Sequence, residues 1–335
     1  MAGYRERCLT SQIPFESILS APGKPWRTWA DVYRALKRLH PAVVLLHSVT
    51  SLPPVALYCR IHGVRLVVVE HTPLALKTRA ERFASTVAPL FAHSTVVLTR
   101  EYLKGYLRQT GLFARQADTI VIANGVDAEQ FRARNPDTRP SATFRIGMAA
   151  RFSPAKRQDL LIHALRLLSE RRPEVRWELS LAGDGTSLKT ARETARTAGI
   201  SERVTFTGHL DEAALIRWFQ TLDLYVHASE GEALSTSVLQ AMASQLAIVG
   251  SDVPGISEAL GGEMPAGVLA AENSAACFAA AIEATQADSA QRSEFALRAR
   301  ERVLRHFSCD AMFASYDRLL RGSGRSTETC DATHS

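Results

Sequence analysis

Short apolar runs rich in β-branched residues recur along the chain at 43–47, 66–71, 95–98 and 120–123, with longer helical patterns in the gaps. This alternation marks βαβ units and a parallel sheet, because parallel neighbours need a crossover segment and strands buried on both faces read as continuous apolar runs. A loop at 135–141, rich in Pro, Asn and Asp, interrupts the pattern, which restarts at 145–150, 177–182, 204–207, 224–227, 247–250 and 267–270. A second parallel sheet begins there. The sequence therefore predicts two α/β domains, 1–137 and 138–306, with a boundary near residue 138.

The segments between strands are amphipathic. In 158–169, Leu160, Leu161, Ala164, Leu165 and Leu168 share one 3.6-period face, which reads as core and nothing more. Residues 289–306 read as a long basic helix, and 310–320 as a last helix with Met312, Phe313, Tyr316, Leu319 and Leu320 on its apolar side. The polar tail 322–335 is expected to be disordered.

At 335 residues and 46 % hydrophobic, the chain can fill two cores. No apolar run approaches the ~20 residues that cross a bilayer, and residues 1–7 show no signal-peptide pattern, so a cytoplasmic protein is expected. Five cysteines stand singly without CxxC spacing, which speaks against a zinc or redox pair. The net charge of +6 suits an anionic partner. Two basic clusters, Arg100–Lys104–Arg108 and Arg292–Arg298–Arg300–Arg302–Arg305, read either as solvated helix faces or as peripheral contact with anionic lipid. No aromatic residues interleave with them to stack bases, which argues against nucleic acid.

The most informative segment is 222–259, which reads strand, loop, helix, strand, loop. Glu230 and Glu232 lie in the first loop, and Ser235, Thr236 and Ser237 lie where the helix starts. Backbone N–H groups and hydroxyls at a helix start make an anion site, although the same residues also suit an ordinary N-cap. The location, at the carboxyl end of a parallel strand, is where open α/β sheets bind ligands. Upstream, the strand at 145–150 runs into Arg151 and Lys156, two cations at the same edge that could neutralise a diphosphate as charge develops on it.

Six motifs follow in order: Asn124-Gly125-Val126-Asp127, Arg151 to Lys156, Ala182-Gly183-Asp184-Gly185, Phe206-Thr207-Gly208-His209, Glu232 to Gln240-Ala241-Met242-Ala243, and Asp252-Val253-Pro254-Gly255-Ile256-Ser257-Glu258. Over about residues 40–320 the chain resembles the family 4 (group 1) retaining glycosyltransferases. The resemblance implies the GT-B fold: two doubly wound Rossmann-like domains facing a cleft, with the helix in 307–321 crossing back to the first domain. It implies transfer of a sugar from a nucleotide-diphosphate sugar, with retention and no obligatory metal, in cell-surface polysaccharide or glycolipid synthesis at the inner face of the membrane. The acceptor would be a glycan or a lipid-linked sugar. Arg151 and Lys156 would bind the donor diphosphate, and Leu234, Ser235, Thr236 and Ser237 would cradle the distal phosphate and sugar. Glu232 would contact the sugar hydroxyls, Gly208, His209 and Leu210 would lie near the base, and His71 would face the sugar from the first domain.

The match has departures. The second glutamate of the family's signature, which usually holds the ribose hydroxyls, is Gln240 here, so ribose binding should be weaker or differently oriented. Glu230 offers an alternative register, but the partner position is then Val238, which cannot bind ribose. Relatives begin with a strand, a glycine-rich loop and a helix, and residues 1–26 show none of these. Either the start is late or the acceptor half is incomplete, with an open sheet edge as the consequence. His71 also reads as a satisfied structural residue ending a buried strand. The alternatives are a nucleotide-sugar epimerase of the same architecture and a degenerate, non-catalytic nucleotide-binding or scaffold protein. A dehydrogenase is disfavoured because no GxGxxG follows the first strand of either domain.

Overall fold

The computed structural model describes residues 13–14, 16–18, 24–113, 119–133, 143–261 and 264–321. All ten expected strands are present, most within a residue or two of their predicted limits. The loop expected at 135–141 and the tail at 322–335 lie outside the described residues.

The chain divides into two compact units, one within 1–97 and 105–120, the other within 98–104 and 121–335. The first holds a four-stranded sheet of β1 (Val43–Leu46), β2 (Arg65–Glu70), β3 (Ser94–Val97) and β4 (Thr119–Val121), in the order β1-β2-β3-β4. The β1–β2 and β2–β3 pairs are parallel, and β1 is an edge strand among the described residues. Leu66, Val67 and Val68 of β2 are fully buried, which is why this strand reads as an unbroken apolar run.

The second unit is built on β5 (Thr143–Ala149), β6 (Arg176–Ala182), β7 (Val204–Gly208), β8 (Leu224–His227), β9 (Ile248–Ser251) and β10 (Val268–Ala270). Their order, β10-β9-β8-β5-β6-β7, winds outward in both directions from the β5–β8 pair. That pair is the topological switch point, where the loops leaving the two strands diverge and open a crevice at their carboxyl ends. The predicted stripe of helix Gln158–Arg171 packs into the core, with Leu161, Ala164, Leu165 and Leu168 buried against Trp177 and Phe278. Burying each leucine there contributes roughly 1.5–3 kcal/mol.

Residues 307–321, expected with the first domain, group with the second unit. The physical tie is local: Val126 N–H donates to Phe307 O at 2.8 Å, Cys309 N–H to Val126 O at 3.2 Å, and Gly125 leaves no space for a Cβ against the Cys309 backbone. The basic helix Ser289–His306 is also more than a charged face. Arg300 donates to the carbonyls of Ala128, Phe131 and Ala243, Arg302 to those of Glu258 and Ala259, and Arg292 to those of Thr285 and Gln286. These guanidiniums satisfy loop and helix-end carbonyls inside the unit. Among the described residues no helix is long and apolar enough to cross a membrane.

Candidate functional site

The site in the second unit is assembled from the loops that leave β5 and β8. They are laced together by Arg157 N–H to Ala228 O at 3.1 Å and Glu230 N–H to Ala155 O at 2.9 Å. From the far side, Gly255 N–H donates to Glu232 O at 3.1 Å, and a Cβ on Gly255 would meet that oxygen at 2.5 Å. The Asp252-Val253-Pro254-Gly255 motif thereby holds the Glu232 loop against the sheet.

The two glutamates of that loop separate. Glu230 turns outward and pairs with Arg157. Glu232 turns inward, where its Oε1 accepts from Lys156 Nζ and meets His227 Nε2 at 2.7 Å. Burial opposes ionisation of Glu232, but the hydrogen bonds and charges of His227 and Lys156 outweigh it and hold the carboxyl at about 2. His227 is almost fully buried at the end of β8, and its other ring nitrogen, Nδ1, lies 3.2 Å from Tyr225 Oη. Tyr225 Oη in turn donates to Ser237 Oγ at 2.9 Å. A continuous polar chain thus runs Lys156–Glu232–His227–Tyr225–Ser237 beneath the start of helix Thr236–Ala243.

Ser235 occupies the N-cap position of that helix, yet its side chain makes no capping bond; its Oγ lies 3.2 Å from Ser237 Oγ. The ordinary capping role is therefore not taken up, and the first amides of the helix remain available to an anion. Leu234, directly before them, is buried and its carbonyl accepts from Asn124 Nδ2 at 3.3 Å.

Beside this cluster lies a cavity of about 410 Å³ lined by Arg151, Gly183, Asp184, His209, Leu210, Ser237 and Gln240, among others. Its floor depends on glycine. Gly183 and Gly185 have φ of +132° and +149°, and a Cβ on either would sit 2.1–2.2 Å from the carbonyl of Ala150 or Phe152. The turn after β6 can press against the end of β5 only because both positions lack side chains. Gly208 ends β7, and its carbonyl accepts from Gly183 N–H at 2.8 Å.

The structure thus gathers Arg151, Lys156, His209, Leu234, Ser235, Thr236, Ser237, Glu232 and Gln240 around the carboxyl ends of the switch-point strands, with Gly208 shaping the cavity. His71 belongs to the first unit, just past β2, where its Nε2 lies 2.7 Å from His47 Nδ1 with the rings stacked. It is exposed, and partial desolvation together with His47 pushes its pKa below the ordinary histidine value. His227 and Tyr225 were missed from sequence. The available signal was position alone: His227 is the last residue of a strand at the switch point. Among the described residues no cluster of three or more His, Cys, Asp or Glu could hold a metal ion.

A helix start whose N-cap side chain makes no capping bond, two cations and a buried carboxylate thus converge at the switch point of a doubly wound sheet. Residues 129–302 match the family of glycosyl transferases group 1, and residues 4–130 match glycosyltransferase family 4. The chain belongs to the group 1 glycosyltransferase family. It is 31 % identical over 194 residues to a Mycobacterium tuberculosis glycogen synthase, covering 57 % of this chain and 45 % of that protein. It is 26 % identical over 219 residues to the Rhizobium meliloti lipopolysaccharide core biosynthesis mannosyltransferase LpsB, covering 60 % and 61 %. The matches therefore span between about half and three fifths of these relatives' lengths. HepE from Anabaena, solved with UDP and glucose, shares the fold with a TM-score of 0.80 at 20 % identity, covering 95 % of this chain and 89 % of that one. The architecture is that of the GT-B glycosyltransferases.

Proposed function

We propose that the chain is a glycosyltransferase that moves a sugar from a nucleoside-diphosphate sugar to an acceptor hydroxyl with retention of configuration. The observation that carries this reading is the Lys156–Glu232–His227 cluster set against the uncapped start of helix Thr236–Ala243, in a member of this family. In the proposed complex the base lies near His209 and Leu210, the ribose against Gln240, the diphosphate between Arg151, Lys156 and the amides at Ser235–Ser237, and the sugar hydroxyls on Glu232. The bond from sugar C1 to the diphosphate oxygen breaks as the acceptor oxygen bonds to C1 on the same face. The departing phosphate oxygen takes the acceptor proton. Fixed cations and helix amides stabilise the charge arriving on the diphosphate, so this chemistry needs no metal.

The acceptor is proposed to be a glycan or lipid-linked sugar presented at the inner face of the membrane; the likeness to a lipopolysaccharide core mannosyltransferase supports it. An epimerase of the same fold would turn over donor without acceptor, so incubation with donor alone separates the two activities. The direct test is thermal stabilisation of the protein by UDP-, GDP- and ADP-sugars, repeated with Arg151→Ala. A shift with one nucleotide that disappears in the variant is expected; no shift with any of them would overturn the donor-site reading.

A further inference from the structure

Strand β8 is polar on one face. Leu224 and Val226 belong to the core of the second unit, whereas Tyr225 and His227, two residues apart, share the opposite face beneath the start of helix Thr236–Ala243. Both are buried, His227 to 1 % exposure. Burying an imidazole costs free energy that an apolar residue in its place would not, unless its nitrogens are paired. Both nitrogens are paired: Nδ1 lies 3.2 Å from Tyr225 Oη, and Nε2 lies 2.7 Å from Glu232 Oε1. Glu232 is ionised at neutral pH, and a carboxylate only accepts, so Nε2 is the donor in the second contact.

Lys156 Nζ donates to the same carboxylate oxygen. Oε1 is thus held from two sides, while Oε2 bonds to no described residue and the Glu232 side chain keeps 11 % of its surface exposed. The two donors differ in what else they can reach. Lys156 keeps 21 % of its side-chain surface, and its ammonium has further N–H groups for a diphosphate. His227 has neither open surface nor a free nitrogen with which to touch a ligand, so its effect passes through Glu232. We infer that His227 is a positioning residue of the donor site: anchored by Tyr225, it fixes Glu232 Oε1 so that Oε2 alone meets a hydroxyl of the donor sugar. When Lys156 turns toward the diphosphate, His227 keeps the carboxylate in place. The inference rests on the donor-site reading proposed above and adds to it a residue that does not touch the substrate.

The experiment compares the sugar with the nucleotide. Glu232 meets the sugar and not the nucleotide, so positioning is read in the ratio of two dissociation constants, nucleoside-diphosphate sugar over nucleoside diphosphate, whereas a general loss of structure moves both. Titration calorimetry on the full chain uses UDP with UDP-glucose, GDP with GDP-mannose and ADP with ADP-glucose. For the pair that binds the parent, His227→Leu and His227→Asn should each raise the ratio about tenfold, the scale of one lost hydrogen bond to a charged group, with binding of the nucleoside diphosphate itself changed by less than about twofold. His227→Gln, whose longer amide reaches Oε1, should bring the ratio back to within about threefold of the parent. If His227→Leu fails to fold, the contrast between His227→Asn and His227→Gln, two amides of different reach, decides by itself. An unchanged ratio in His227→Leu and His227→Asn, equal weakening of both ligands, or no difference between the two amides would overturn the positioning role while the donor site stands. No binding of any of these ligands to the parent would overturn the donor-site reading, and this inference with it.

Discussion

The two sheets put chemistry at their carboxyl ends in different ways. In the second unit the strand order reverses between β5 and β8, so the loops leaving neighbouring strands part and leave room for side chains from both to converge. Lys156, Glu232, His227, Tyr225 and Ser237 fill that space as one connected polar chain whose members hold each other in place. In the first unit β1 and β2 are adjacent strands followed by helices in simple succession, and their ends deliver one pair, His47 and His71, at 2.7 Å. A network with several mutual partners is pre-organised and costly to open; a single exposed pair is neither. Under the proposed function, charge stabilisation rests on the second unit's network.

The largest expected effect tests that assignment. Lys156→Ala removes a cation and leaves Glu232 buried with only His227 beside it. Loss of a charge stabiliser of this kind lowers turnover by roughly two to three orders of magnitude. His47→Ala, which frees one edge of His71, should lower turnover by less than about tenfold, the scale of one exposed neutral hydrogen bond. Parallel steady-state kinetics on the two variants, with circular dichroism to confirm folding, make the comparison. Similar losses in both would erase the distinction between the units.

Most of the second unit was legible before its coordinates, and for a physical reason. Strands buried on both faces leave continuous apolar runs, and positions such as Gly183, Gly185 and Gly255, where a Cβ would strike backbone oxygen, leave glycines at fixed places in the motifs. Glu232 was legible because it stood at a signature spacing from Gln240. What sequence could not give was which polar groups share a partner. His227 and Tyr225 read as two residues of a strand, and only the pairing of β8 with β5 brings the Tyr225 hydroxyl to the Ala149 carbonyl, while the helix after β8 folds back to set Ser237 Oγ beside it. Likewise Arg292, Arg300 and Arg302 read as helix surface, because the carbonyls they satisfy come from segments up to 172 residues away in sequence. The exposure of Leu57, Phe83 and Phe91 on the first unit escaped for the converse reason: they sit in helical and turn segments where an apolar residue is expected to be core.

A middle-sized effect concerns stability. Glu232 is held at about 2 against an ordinary 4.5. A carboxyl whose folded pKa is depressed adds stability above its unfolded pKa and loses it as pH falls through the folded value, so this contribution is complete above about 4.5 and gone near 2. Its size is on the order of 3 kcal/mol. Urea unfolding between pH 2 and 6 should show an acid limb that flattens in Glu232→Gln by about that amount. An acid limb identical in Glu232→Gln and the parent would mean that the network does not stabilise the ionised carboxyl.

The smallest expected effect probes Gln240, where the resemblance to the family leads one to expect a glutamate. Gln240 is half-buried and shares its cavity with Arg151, Asp184 and His209. An amide gives a ribose hydroxyl one neutral acceptor, whereas a carboxylate gives two charged ones, and a hydrogen bond to a charged group is stronger by about 1 kcal/mol. Asp184, on the same cavity wall, opposes a second negative charge and trims that gain. Gln240→Glu should therefore tighten binding of the matching nucleoside diphosphate by no more than about fivefold. Titration calorimetry reads this directly. An unchanged Kd would take Gln240 out of contact with the ribose, whereas weaker binding would mean that repulsion from Asp184 exceeds the added hydrogen-bond strength, and that glutamine is the residue the second unit's own electrostatics favour.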